Sequence, residues 1–295
     1  MFQYFLYKFG LFIIHLVPRR WAYWFADFMA NQHFYHSHKD REAVIRNLVQ
    51  ITGRQDEVRA MARRVFLNFG RYLVDFFLMY KTVDRVFVRE RVTINGMEHL
   101  DTALARGRGG IILTAHIGNW EMGAAVLSQL RHRVTAIALP HKNPKVNILF
   151  NRQREAHGVT VVPTSVAVRR CMGTLRKGGL VALLGDRDFG SFGMPMDFLG
   201  RKTLIPQGAA FFASRMGAPI IPCFLTPDGH GHYSMDILAP VYPSESAGSG
   251  EEALLSLMQA YVKVIEAKIK EDPTQWLMFR EFGIEFENLY PNPRA

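Results

Sequence analysis

The 295-residue chain is 48% hydrophobic and only 21% charged, which excludes wholesale disorder. Two cysteines, Cys171 and Cys223, exclude a disulfide framework and fit a reducing compartment, and the lack of any run of 18 uninterrupted apolar residues excludes a polytopic membrane protein. The net charge of +10 rests on residues 1–250, since residues 251–295 carry 5 basic against 8 acidic side chains. A basic surface attracts anions, and 22 phenylalanines beside it point toward lipid more than toward DNA.

In chain order, Phe2 to Val17 is an apolar stretch of 16 residues interrupted by Lys8. As a helix it spans roughly 24 Å, short of the ~30 Å hydrocarbon core. No small-x-small cleavage site follows, so a signal peptide is disfavoured. Pro18 suits the start of a second helix carrying Trp21, Tyr23, Trp24, Phe25 and Phe28 beside Arg19 and Arg20, the mixture a membrane–water interface favours. The segment is expected to anchor the protein, lying in the interface or marginally spanning; a buried core helix is the alternative. His33, His36 and His38 match no metal-ligand spacing and read as a solvated turn. From Asp56 to Tyr80 apolar residues recur at helical spacing, with Arg59, Arg63, Arg64 and Arg71 on the remainder.

After about residue 90 the period changes. Strands are predicted at 109–115, 134–139, 159–162, 180–184, 219–225 and 233–238, and helices at 122–130, 147–157, 166–176, 207–216 and 251–271. Alternation of this kind implies an α/β fold: a mixed, largely parallel sheet flanked by helices. The expected division is an N-terminal helical, membrane-associating region over 1–90 and one integrated α/β core over 91–295. Nucleotide-binding glycine fingerprints are absent from the sequence.

The chemistry concentrates at Thr114-Ala-His116-Ile-Gly118-Asn119-Trp-Glu121. Polar groups appear where a buried strand ends, the edge at which open α/β sheets bind ligands. On one regular helix His116 and Glu121 would stand about 140° apart. They meet only if His116 sits in the turn and Glu121 in the helix's first turns, which Gly118 and Asn119 permit. Glu121 would then fix the imidazole tautomer of a general base, and backbone N–H groups near Gly118 and Asn119 would face an anion. A histidine that merely caps a helix is the structural alternative. Downstream, Arg152 and Arg154 have spacings that suit phosphate, or a solvated helix face, and Asp186, Arg187 and Asp188 follow another strand end, where they also read as turn formers.

His116-x-x-x-x-Glu121 resembles the His-x-x-x-x-Asp/Glu motif of the glycerolipid acyltransferase superfamily, and the fuller His-x-Gly-Asn-Trp-Glu string is similar to its bacterial lipid A (late) acyltransferase branch. Arg41 to Leu48, Arg152 to Gly158, Gly185 to Gly190, Pro206 to Ala213 and Pro273 to Arg280 resemble further blocks of that branch in order. The resemblance implies transfer of a fatty acyl chain from acyl carrier protein or acyl-coenzyme A to a hydroxyl of a membrane glycolipid, a lipid A precursor. A lysophospholipid or a phosphatidylinositol mannoside is the runner-up acceptor. It further implies His116 and Glu121 as the catalytic pair, with Gly118, Asn119, Arg152, Arg154, Asp186, Arg187 and Asp188 around the substrates. No cofactor, no metal and no nucleic acid is expected, and the setting is the cytoplasmic face of a bacterial inner membrane. The rival readings are a basic lipid- or nucleic-acid-binding protein, and a metallohydrolase using His116, Glu121 and Asp186.

Overall fold

The computed structural model describes residues 8, 10–12, 14, 16–141, 143–188, 193–229, 231–243 and 250–283. Much of the Phe2 to Val17 stretch, expected to anchor the protein, therefore lies outside the described residues. From Arg19 onward the described residues form four helices: α1 (Arg19–His36), α2 (His38–Thr52), α3 (Val58–Thr82) and α4 (Arg85–Arg91). A three-layer α/β unit follows, with β1 (Val92–Asn95), α5 (Met97–Leu104), β2 (Gly110–Thr114), α6 (Trp120–Gln129), β3 (Val134–Ala138), α7 (Pro144–Glu155), β4 (Thr160–Pro163), α8 (Ala167–Arg176) and β5 (Leu180–Leu184). It continues through β6 (Met194–Phe198), β7 (Arg201–Ile205), α9 (Gly208–Met216), β8 (Ile220–Pro227), β9 (Tyr233–Ile237) and α10 (Glu251–Glu271).

The seven-stranded sheet has the order β1-β9-β8-β2-β5-β3-β4. Every pairing is parallel except β8 with β9. Helices cover both faces, so β2 is buried at all five positions and reads as an unbroken apolar run rather than an alternation. One core lies between the sheet and the N-terminal helices, joining Phe34, Phe66 and Phe76 to Ile112, Val126 and Met235. The opposite core joins Ile111, Leu113 and Phe224 to Phe212, Tyr261 and Ile265. The helices before residue 91 thus share a core with the sheet. Asp75 of α3 reinforces this: it accepts from Arg19 (2.6 Å), Tyr23 (2.5 Å) and Tyr233 (2.8 Å), tying α1 and α3 to β9.

The antiparallel hairpin β6–β7 was not visible in the sequence pattern. Pro195 sits inside β6 and argues against a strand, and a two-stranded edge tolerates it. The hairpin turns at Leu199-Gly200, both at positive φ (51° and 79°), a conformation that leucine rarely signals. It is held from outside: Leu199 N–H donates to Glu266 (2.5 Å), and its carbonyl accepts from Gln50 (3.1 Å).

Among the described residues no helix is long and apolar enough to cross a membrane. The aromatic face of α1 is nonetheless outside: Trp21 is 55% and Trp24 65% exposed, with Phe28 and Met29 beside them. His33, expected in a solvated turn, lies in the last turn of α1 and bonds Asp40 (2.8 Å) while stacking on Phe279.

Candidate active site

Parallel pairing of β2 with β5 sets Thr114 against Leu184. Counting two residues past each end gives His116 and Asp186, so neighbouring strands roughly 4.8 Å apart deliver them side by side. His116 Nδ1 lies 2.9 Å from Asp186 Oδ1 and 3.2 Å from Oδ2, and the His116 backbone N–H donates to Oδ2 at 3.2 Å. Asp186 is fully enclosed and the His116 side chain is 13% exposed. A third donor, the Trp276 indole N–H, reaches Asp186 Oδ2 at 2.9 Å.

Electrostatics follow from this enclosure. Burial works against the Asp186 charge but is outweighed by His116, Arg187 and the hydrogen bonds, which together hold the carboxyl well below the usual carboxylate range. Burial also lowers the His116 pKa below its ordinary 6.5, the attraction of Asp186 opposing and the Arg187 charge adding to the fall. A neutral imidazole with Nδ1–H directed at an ionised carboxylate presents Nε2 as its basic nitrogen.

The expected His116–Glu121 pairing gives way to His116–Asp186. The helix α6 begins at Trp120, which sends Glu121 toward α7, where Arg154 meets it fork to fork: Nε to Oε2 at 2.8 Å and Nη2 to Oε1 at 2.5 Å. Arg154 Nη1 also donates to Asn151 (3.1 Å). Both side chains are nearly enclosed, at 13% and 11% exposure. Burial of Arg154 favours its neutral form, and Glu121 more than reverses this, so its pKa is raised. Glu121 reaches His116 only through its field, which favours the imidazolium.

The turn itself departs from expectation in a second way. The Gly118 N–H donates to the Gln275 carbonyl (3.0 Å) and the Asn119 N–H to the Leu225 carbonyl (2.8 Å), so these two amides are spent on structure. Gly118 has φ +58°, and a Cβ there would lie 2.2 Å from Leu225 O. That contact is why glycine occupies the position. Asn119 is buried and caps α6, its side chain accepting from Met122 N–H at 3.0 Å. Arg152 stands exposed on α7, outside the ion pair formed by Arg154. Arg187 donates to the Leu277 carbonyl (3.0 Å), and Asp188 accepts from Gly193 N–H (2.8 Å), the turn-forming alternative for that acid.

Aromatic rings wall one side. Trp120 packs edge-on against His116 (4.8 Å between centroids) and stacks on Tyr72 (4.5 Å), which stacks on Phe69 (6.0 Å). Phe69 lines an apolar cavity of about 380 Å³ between α1 and α3, along with Phe25, Met29, Leu73 and Phe77. Neither cysteine belongs to this constellation; burial pushes the thiols of Cys171 and Cys223 up to about 11 and about 12, away from nucleophilic thiolate.

Trp276 was not singled out as a site residue by the sequence, and the role of Asp186 beside His116 was not anticipated. They lie 160 and 70 residues away from His116; both fall in blocks that resemble the family's, but no local spacing pairs either of them with the histidine.

Comparison with known proteins identifies the family. The bacterial lipid A biosynthesis acyltransferase family model matches residues 1–282. The phosphatidylinositol mannoside acyltransferase of Mycobacterium tuberculosis is 31% identical over 219 residues, covering 72% of this chain and 67% of that one. The lipid A biosynthesis acyltransferase of Haemophilus influenzae is 25% identical, covering 70% of this chain and 63% of its own length. Among solved structures, the 1-acyl-sn-glycerophosphate acyltransferase PlsC of Thermotoga maritima aligns with 85% of this chain and 96% of its own, at 16% identity and a TM-score of 0.39. The chain therefore belongs to the bacterial lipid A biosynthesis acyltransferase family and is an enzyme that transfers acyl groups.

Proposed function

We propose that this enzyme moves a fatty acyl chain from a thioester, carried by acyl carrier protein or coenzyme A, to a hydroxyl of a membrane glycolipid. The observation that carries the reading is the enclosed His116–Asp186 contact at the carboxyl ends of two adjacent parallel strands. His116 Nε2 takes the acceptor hydroxyl proton as that oxygen attacks the thioester carbonyl. The tetrahedral oxyanion collapses, the C–S bond breaks, and the proton on Nε2 passes to the leaving thiolate. Asp186 holds Nδ1–H and stabilises the transient imidazolium. With the Gly118 and Asn119 amides engaged, the oxyanion is stabilised by the positive N-terminal end of α6 and by Arg187. Glu121, rather than gripping the imidazole, fixes Arg154 in the wall of the site and adds a negative field that favours the imidazolium.

The acyl chain fits the apolar cavity between α1 and α3, each buried CH₂ contributing about 0.8 kcal/mol. The exposed rings of α1, with Arg20 beside them, seat the enzyme on the cytoplasmic face of the inner membrane, where its acceptor resides. A lipid A precursor is the first acceptor. A phosphatidylinositol mannoside is the second, favoured by identities of 31% and 28% to enzymes of that name against 25% and 24% to those named for lipid A. Purified enzyme, offered a long-chain acyl thioester and each glycolipid in turn, is expected to give an acylated product detectable by mass spectrometry. Thioester hydrolysis without acylation of any hydroxyl lipid would refute the transferase reading.

A further inference from the structure

The segment that follows α10 is buried and crosses the turn that carries His116. Thr274, Trp276, Leu277 and Met278 are all less than 5% exposed. Residues 275–277 bind the turn on both sides: Gly118 N–H donates to the Gln275 carbonyl (3.0 Å), Ile117 bridges Trp276, and Leu277 N–H donates to the His116 carbonyl (2.8 Å). The strap is pinned from the helical layer by Asn68, which donates to the Thr274 carbonyl (2.9 Å), and by Asn47, which donates to the Arg280 carbonyl (2.7 Å). From this strap Trp276 reaches the partner of the catalytic histidine.

We propose that Trp276 is a positioning residue for the acyl transfer, its indole N–H locking the Asp186 carboxylate in the orientation that serves His116. The proposal rests on the His116–Asp186 reading given above and adds a third member to it. Three facts carry it. Asp186 is fully enclosed, so water is not at hand to replace a lost donor. Its Oδ2 takes the indole N–H at 2.9 Å, against longer contacts of 3.2 Å from the His116 ring and backbone nitrogens, so the shortest contact at that oxygen comes from the strap. The indole itself cannot swing away, since Phe198 (6.1 Å) and Phe282 (5.6 Å) pack edge-on against it. An indole N–H donates and cannot accept, so Trp276 orients the carboxylate without entering the proton path.

The test removes the N–H while keeping the shape. Benzothienylalanine, in which sulfur replaces the indole nitrogen, is installed at position 276 of the full-length protein, with Trp276→Phe as a second variant. Steady-state acyl transfer is measured from pH 5 to 9, and the His116 imidazole ¹⁵N shifts are read by NMR. The expected result is a fall in kcat of about tenfold with KM unchanged. The acid limb of kcat/KM and the His116 titration are both expected to move to higher pH, because a carboxylate stripped of a donor attracts the imidazolium more strongly. An unchanged kcat, together with an unmoved limb and unmoved ¹⁵N shifts, overturns the proposal. If that result is found while His116→Ala is inactive, only the role of Trp276 fails. If His116→Ala is fully active, the base itself is misassigned; the NMR arm reads the indole's effect on the His116–Asp186 pair whether or not turnover is seen.

Discussion

Two carboxylates compete for one histidine at the site, and they divide the work by where their backbones emerge. Asp186 leaves β5 beside His116, whereas Glu121 rides on α6 and is consumed by Arg154. Asp186→Asn keeps the shape but removes the charge that favours Nδ1–H. It is expected to reduce kcat by about 10² or more, with the acid limb of kcat/KM moving down in pH because an attraction that raises the His116 pKa has been lost; steady-state pH profiles measure both. In the wild-type enzyme burial lowers the His116 pKa, so, if His116 is the base, kcat/KM is expected to be on its plateau at neutral pH and to fall as acid protonates it. Glu121→Ala has a different signature. It strands a nearly enclosed guanidinium and is expected to cost about 3–5 kcal/mol of stability in denaturant titration, whatever it does to turnover.

Elements explain why part of this site was legible and part was not. The His116 turn announces itself, since a wholly apolar run ends in polar residues and glycine, and β2 and α6 fall close to where that pattern puts them. The identity of the acid partner was hidden, because it depends on β5 being the hydrogen-bonded neighbour of β2, and local periodicity carries no strand order. The hairpin β6–β7 and the strap at 273–278 were hidden for a related reason: both are fixed by contacts with distant residues, Glu266 and Gln50 for the hairpin turn, Asn68 for the strap. The tight seat of the His116–Asn119 turn against β8 gives a test at this scale. Gly118→Ala places a methyl into the Leu225 carbonyl at positive φ and is expected to cost at least about 1–3 kcal/mol in thermal unfolding and to displace His116, lowering kcat.

Seen whole, the molecule places His116 and Asp186 at the carboxyl ends of two central strands, and the rings of Trp120, Tyr72 and Phe69 run from His116 to an apolar cavity beside α1. The basic, aromatic character of residues 18–28 was readable in the sequence, and the structure leaves Trp21 and Trp24 unburied as that character suggests. Trp21→Ala with Trp24→Ala is expected to weaken binding to anionic phospholipid vesicles by about tenfold or more, and added salt to weaken it further, by co-sedimentation. Unaltered partitioning of the double variant would overturn the proposal that α1 seats the enzyme on a membrane.

The most direct measurement is the rate of acyl transfer by purified His116→Ala beside wild type, with circular dichroism and thermal unfolding recorded on both. If His116 Nε2 is the general base, the variant folds normally and its rate is lower by about 10²–10⁴. A folded His116→Ala protein that transfers acyl chains at the wild-type rate would contradict it.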